Sequence, residues 1–387
     1  MSWDGPWSTL CTGEIGGDSM TRMSVVERRA LESLRAAEED ASSGPALASR
    51  ALLILQEAIG FDEGYILAVD PDSLLFTRLL AYRGERFARF AYWLRDGYLL
   101  ERAAFPDIAF PALLRDFGGI VVLHERVDRW IGNVPRPASE EVWAHMWRSA
   151  GSPPGGGFRV GLPDRGRWIA AIQAGSWRPG DGFRPHHVDL LRRAAPGLGR
   201  ALRVRLEPSE RTTTNKVDRP PDAGHLLFGP DRHLAYVDSP GERWIDRLPE
   251  DGLRAHGMNV PVAAQSLVNH LVSDPTSEAS SRLVDRHGFG VLARATRAGP
   301  AGGADGQVRD WVHVTIRADP VASRLAAGSL TGRQREVGLA VARGLTDRTV
   351  ATDLGISVAT VHDHVGALHA AYGTGTRAEL VAALSSG

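Results

Sequence analysis

Residues 330 to 384 read LTGRQREVGLAVARGLTDRTVATDLGISVATVHDHVGALHAAYGTGTRAELVAAL. Four short helices can be marked off in this stretch from their start and stop signals. Thr331 followed by Gln334 fits a capping box, in which the hydroxyl accepts a free backbone N–H and the amide reaches back. That helix runs to Arg343, and Gly344 suits the left-handed residue that ends it. Thr346 opens a second helix and Gly355 closes it. Ser357 caps a third helix, which runs to about Tyr372 before Gly373. Thr376 and Glu379 form a second capping box for the last helix.

The second and third helices are joined by the tight turn Leu354-Gly355-Ile356-Ser357, so the pair reads as a helix-turn-helix. Val350, Ala351, Leu354, Ile356, Val361, Val365 and Leu368 recur at helical spacing and are expected to form a small core. Together with Leu330-Thr331, Arg333, Arg335-Glu336-Val337, Gly344-Leu345, Ala351, Leu354, Ile356-Ser357, Thr360-Val361, His364 and Arg377 with Leu380, this pattern resembles the LuxR-type DNA-binding domain of bacterial transcription regulators. The resemblance spans about fifty-five residues. It implies that the third helix lies in the DNA major groove, with Thr346, Arg348, Ser357, Val358, Thr360, His362, Asp363, Gly366 and Arg377 facing the duplex. It also implies that two copies pair through Leu380, Val381 and Leu384.

Departures from the family pattern bear on affinity. His362 stands where Lys is usual after the Thr-Val pair, Asp363 where an apolar residue is common, and Gly366 and Ala371 at positions usually basic. The third helix therefore holds no Lys or Arg. Across the unit, Arg333, Arg335, Arg343, Arg348 and Arg377 are balanced by Glu336, Asp347, Asp353, Asp363 and Glu379. Phosphate neutralisation supplies most non-specific DNA affinity, so weak binding with a shallow salt dependence is expected. His362 and His364 can donate when protonated, and Asp363 can accept from a cytosine amino group. Gly338 and Ala340 replace larger apolar residues of the first helix, and a mid-helix Gly costs about 1 kcal/mol relative to Ala.

Outward from this stretch, the whole chain of 387 residues is long enough for two or three domains. Its 43% hydrophobic and 24% charged content is that of a globular protein. A net charge of −1 exerts no long-range pull on nucleic acid, so any DNA contact must be local. Cys11 is the sole cysteine, which excludes an intramolecular disulfide and any multi-Cys metal site. The opening MSWDGPWSTLCTGEIGGDS lacks the basic region and apolar core of a secretory signal. No apolar run approaches the ~18 residues of a membrane helix. A cytoplasmic protein that engages no membrane is the expectation.

Residues 1–23 are Gly- and Ser-rich and are expected to be disordered. From Ser24 the pattern turns helical, in SVVERRALESLRAAEEDA and PALASRALLILQEAIGF, with Ala51, Ile54, Leu55 and Ala58 along one stripe. GYILAVD and LLFTRLLAYR flank Pro71-Asp72-Ser73 and read as a hairpin. A helix-rich insert from Glu85 follows, then a short strand at Gly119 to Leu123 and a helix from Ser139 to Trp147. FRVGLP and RWIAAIQAG are joined by the turn Asp164-Arg165-Gly166. A long helix from Pro185 to about Val204 carries Val188, Leu191, Leu198 and Leu202, and Pro196 is expected to kink it. This order over 24–205 resembles a GAF domain, a sensory fold with an antiparallel sheet and a ligand pocket.

Residues 206–223 form a polar, Pro-containing linker. Over 224–320, two short strands around Pro230-Asp231-Arg232, two helices and three strands resemble a PAS-like domain by order. Val312, Val314 and Ile316 alternate with polar or aromatic neighbours, so one face is buried. Gly299 to Gly306 reads as a hairpin loop. Residues 321–329 connect to the DNA-binding unit at 330–387. The fold class expected is α+β: a GAF-like domain, a PAS-like domain and an all-α four-helix LuxR-type unit.

No catalytic constellation accompanies these elements. Lys216 follows Asn215, which excludes a P-loop, and neither a Gly-x-Ser-x-Gly elbow nor a His-Glu-x-x-His motif occurs. His186-His187 are adjacent and point apart on a helix, so no metal site is expected. His124 and His145 could ligate haem in a sensory pocket, but a lone histidine is more often an ordinary surface or core residue; Trp143 and Trp147, one helical turn apart, could line a pocket, but simple packing is the readier reading. No cofactor is specified. The function expected is a DNA-binding regulator, a homodimer controlled by a small-molecule effector in one of the sensory domains. The competing reading is a protein-interaction module whose helix-turn-helix no longer reads DNA.

Overall fold

A computed structural model describes residues 24–85, 90, 93–97, 110, 120–123, 157–176, 185–206, 220–248, 259–273, 276–287, 289–302, 308–327 and 329–385. The expected disorder over 1–23, most of the helical insert, the helix at Ser139, His124, His145, Trp143, Trp147 and most of the linker lie outside the described residues.

Ser24 opens α1 (Val25–Asp40) with a capping box, its hydroxyl accepting from the Glu27 N–H while the Glu27 carboxylate accepts from the Ser24 N–H at 2.7 Å. Ser43 caps α2 (Gly44–Ile59), which ends at Gly60 with φ +85°. Strands β1 (Glu63–Val69), β2 (Phe76–Arg83), β3 (Ile120–Leu123), β4 (Gly157–Asp164) and β5 (Arg167–Gly175) form one antiparallel sheet in the order β2-β1-β5-β4-β3. β1 is buried along its whole length, so both faces of the sheet are covered. Ile66 and Ala68 face a core built with α1, α2 and α3 (Pro185–Leu206); Tyr65, Leu67 and Val69 face the opposite way. In the β4–β5 turn, Arg165 and Gly166 have φ +49° and +75°, the two positive values a tight hairpin requires.

Helix α3 continues through Pro196. Its approach to β4 is set by glycine. A Cβ at Gly199 would lie 2.1 Å from the Pro163 carbonyl oxygen, which is backbone and cannot rotate away. Gly199→Ala should therefore destabilise by more than about 2 kcal/mol, although helix propensity alone favours Ala by ~1 kcal/mol. Thermal unfolding of the variant checks the sign.

A second antiparallel sheet repeats this strand order. Strands β6 (Gly224–Phe228), β7 (Leu234–Val237), β8 (Glu278–Val284), β9 (Gly290–Gly302) and β10 (Val308–Ala318) run β7-β6-β10-β9-β8. β9 runs into the stretch expected to be a loop. Between β7 and β8 come α4 (Ser239–Arg247) and α5 (Val262–Ser273). α5 is buried nearly all round, including Gln265, Ser266 and Asn269. A helix without a wet face has to lie between two layers. One side of α5 packs on β8, β9 and β10; the other packs on β2 and on a π-helical turn, Trp93–Gly97, of the first unit. The Asn269 amide donates to the Leu94 carbonyl at 2.6 Å. One continuous hydrophobic core therefore runs from Tyr65, Leu67 and Trp93 through Leu267 and Val268 to Val291 and Val314.

The four helices expected over 330–387 are present, and a further helix precedes them. Residues expected to be a bare connector form α6 (Pro320–Ala327), followed by α7 (Gly332–Ala342), α8 (Asp347–Leu354), α9 (Val358–Tyr372) and α10 (Arg377–Ser385). The Asp319 carboxylate accepts from the Val321 N–H at 3.0 Å and so caps α6, with Pro320 at the first helical position. Val321 and Leu325 join the core of the unit with Val337, Val341, Val350, Val361, Leu368, Leu380 and Leu384. This corrects the reading of Gly338 as a weakness. A Cβ there would meet Leu325 Cδ2 at 2.6 Å, so the missing side chain makes room for α6.

Candidate nucleic-acid interface

The turn between α8 and α9 is built from backbone chemistry. Gly355 takes φ +63° and returns its N–H to Thr352, and the Ile356 N–H bonds the Ala351 carbonyl at 3.0 Å. Ser357 then caps α9, its hydroxyl accepting from the Thr360 N–H at 3.0 Å and lying 2.8 Å from the Thr360 hydroxyl. Arg333 of α7 holds the turn from behind by donating to the Leu354 carbonyl at 2.7 Å, while also pairing with Glu336. An orphan carbonyl at the end of α8 is thereby satisfied. Val361 and Leu368 are the fully buried residues of α9 and fix its inner face.

The opposite face is open. Ser357, Val358, Ala359, His362, Asp363 and Gly366 are exposed, Thr360 is half-buried, and Thr346 and Arg348 are exposed beside them. Nothing lies within 4 Å of where a Cβ on Gly366 would stand. Thr346 caps α8, accepting from the Thr349 N–H at 3.3 Å. Asp347 draws two of the expected DNA-facing residues together. Arg377 donates to its Oδ1 at 2.6 Å, and His362 Nε2 lies 2.9 Å from its Oδ2. Arg377 also donates to the Leu345 carbonyl, which makes it a tie between α10 and the start of α8 more than a free phosphate contact. Glu379 accepts from the Gly375 and Thr376 N–H groups, which hold its carboxyl below the usual range.

The residues expected to pair two copies are placed otherwise. Leu380 and Leu384 are fully buried in the chain's own core, against α6 and α7, and Val381 is half-buried. The reason is length: a helix of nine residues is marginal by itself and is stabilised by laying its apolar stripe on its own unit. Val188, Leu191, Leu198 and Leu202 of α3 are likewise buried in the first core. Sequence reasoning missed α6 and the role of Arg333. The Asp-Pro start of α6 was a signal that could have found it.

A second polar constellation lies inside the first unit. Tyr82, Tyr65, Gln173 and Arg159 occupy one row across β2, β1, β5 and β4 by strand register. They lie on the sheet face that meets Phe90, Trp93 and Phe110. Arg159 is completely buried, donates Nε to Gln173 Oε1 at 3.0 Å, and sits 4.8 Å from the Phe110 ring centroid. Among the described residues no group of three or more His, Cys, Asp or Glu could hold a metal ion, and no helix is long and apolar enough to cross a membrane.

No family model matches the chain, and no curated protein matches it. Among solved structures, the Vibrio cholerae VqmA–ligand–DNA complex is 14% identical over 42% of this chain and 80% of that one, with a TM-score of 0.27. The phycoerythrobilin-bound GAF domain of a cyanobacterial phytochrome is 10% identical over 46% of this chain and 95% of that one, TM-score 0.33. Free methionine-R-sulfoxide reductase from Neisseria meningitidis, with its substrate, is 17% identical over 46% and 88%, TM-score 0.27. All three TM-scores are too low to fix a shared fold.

Proposed function

We propose that the chain is a non-enzymatic, cytoplasmic transcription regulator of LuxR type. It binds DNA through the helix-turn-helix formed by α8 and α9, under the control of GAF-like and PAS-like sensory units. The observation that carries this reading is the open outer face of α9. The apolar residues of the C-terminal unit are drawn inward, while Ser357, Val358, His362, Asp363 and Gly366 stay exposed beside Thr346 and Arg348. A capped helix presented this way fits a major groove, with α8 across the backbone. Arg348 is the exposed cation best placed for a phosphate. Gel retardation at low salt against duplex fragments tests this, and Arg348→Ala should weaken binding across sequences and reduce the salt slope by about 1. Absence of retardation by the unaltered chain at low salt would defeat it.

A small-molecule effector bound in the GAF-like or the PAS-like unit is part of the proposal. A homodimer is part of the proposal because readers of this type meet paired half-sites. Its contact surface excludes the buried Leu380 and Leu384. One observation favours the alternative of a protein-interaction module: Asp363 is exposed on a helix face without Lys or Arg, which suits a basic protein surface better than phosphate. Co-purification of a partner without DNA distinguishes the two.

A further inference from the structure

The turn between β1 and β2 carries an arrangement that neither sheet requires for itself. Asp70 makes the turn: its backbone pairs with Leu74 and Leu75, and its carboxylate accepts from the Asp72 N–H at 3.1 Å and the Ser73 hydroxyl at 2.9 Å. The Asp72 carboxylate is left to point outward, and three arginines from three parts of the chain converge on it. Arg167, at the start of β5, donates to Oδ1. Arg282 of β8, in the second sheet, lies 4.0 Å from Oδ2. Arg343, in the loop after α7, places Nε 3.1 Å from Oδ2.

Arg343 is the telling member. Its Nε is buried with no hydrogen-bond partner among the described residues, so the compensation there is charge on charge. Burial pulls Arg343 below its ordinary value, Asp72 opposes this, and Arg167 and Arg282 add to it. Asp353 of α8 is raised by burial at the same junction, with Arg167 and Arg343 opposing. Asp319 draws Arg282 from the other side at 3.3 Å and also caps α6, so the cluster continues into the C-terminal unit. Neutralising Asp72 would remove the carboxylate that all three guanidinium groups share, leaving Asp319 on Arg282 and the more distant Asp70 and Asp353 to offset their mutual repulsion.

We propose that Asp72 is an ionic latch, clamping the loop after α7 to both sheets and so setting the orientation in which the C-terminal unit presents α9. Its consequence for DNA rests on the function proposed above; the latch itself is a property of the chain without DNA. Because part of the cluster is solvent-exposed, salt weakens it, with a screening length of about 10 Å at 0.1 M.

The test is amide hydrogen exchange of the full chain, comparing the unaltered protein with Asp72→Asn and Arg343→Gln. Asp231→Asn, in the β6–β7 turn and outside the cluster, is the control. Asp72→Asn keeps the turn, which Asp70 holds. Each latch variant should exchange about threefold faster or more over Gly344 to Thr349, and the double variant no faster than the faster single one. High salt should move the unaltered chain the same way, and the control should match it. Unchanged exchange in both single variants, with native circular dichroism, overturns the latch. Should Asp72→Asn not fold, Arg343→Gln gives the same readout from the other end. Gel retardation run alongside separates the two proposals: faster exchange in a chain that retards no DNA keeps the latch and discards the DNA reading. Retardation with unchanged exchange does the reverse.

Discussion

Leu267→Ala is expected to lower the unfolding free energy by about 2–5 kcal/mol and to do so in a single transition that takes both sheets down together. Leu267 is fully buried in the middle of α5, the helix packed between the first sheet's β2 and the second sheet's β8, β9 and β10. Truncating it removes apolar contacts on a helix that has no wet face to relax into. The core cluster on either side is continuous, so a sheet that loses α5 exposes Trp93 and Val69 on one side and Val291 and Val314 on the other. Hydrogen exchange along a urea series reads the two sheets separately, through peptides from β1 and from β9. Coincident midpoints, both lowered in Leu267→Ala, are the expected result. Two midpoints that separate in the unaltered protein would show that the sheets fold as independent domains and that α5 is not a shared core.

The double variant Asp363→Lys, Gly366→Arg should tighten duplex binding by about tenfold or more and steepen the salt slope by about two units, one per added phosphate contact. Both positions are exposed on the outer face of α9, and a Cβ at Gly366 would meet nothing within 4 Å. Replacing a mid-helix Gly also removes a cost of about 1 kcal/mol, so the gain should come without loss of stability. Asp363 sets the sign. A carboxylate on a groove-facing helix repels every phosphate it approaches, and changing it to Lys converts repulsion to attraction. His362, held 2.9 Å from Asp347, is left in place by this design. Fluorescence anisotropy at several salt concentrations gives affinity and slope together. Unchanged affinity and slope would mean that α9 does not approach the duplex, and the interaction-module reading would then lead.

Much of this was legible residue by residue. The capping pairs Thr331 with Gln334 and Thr376 with Glu379 sit where the sequence put them, because a cap is satisfied by atoms three residues away. The Asp164-Arg165-Gly166 turn and the alternation of Val312, Val314 and Ile316 were readable for the same reason. What was misread involved a distant partner. Gly338 looked like a defect until Leu325 filled the space above it. Leu380 and Leu384 looked like a dimer stripe, because an apolar face at helical spacing does not say which surface covers it.

By itself the sequence determined the caps and turns of the C-terminal helices, the antiparallel character of both sheets' hairpins and the lack of fixed positive charge on α9, since those follow from local hydrogen bonding and side-chain chemistry. Only the tertiary structure decided that α5 joins the two sheets in one core, that the helix after Asp319 packs into the C-terminal unit, and that Asp72 gathers Arg167, Arg282 and Arg343. These depend on residues up to 271 positions apart in the chain, Asp72 and Arg343 being the farthest. Burial and charge pairing act through space, and no local pattern records which distant groups will share it.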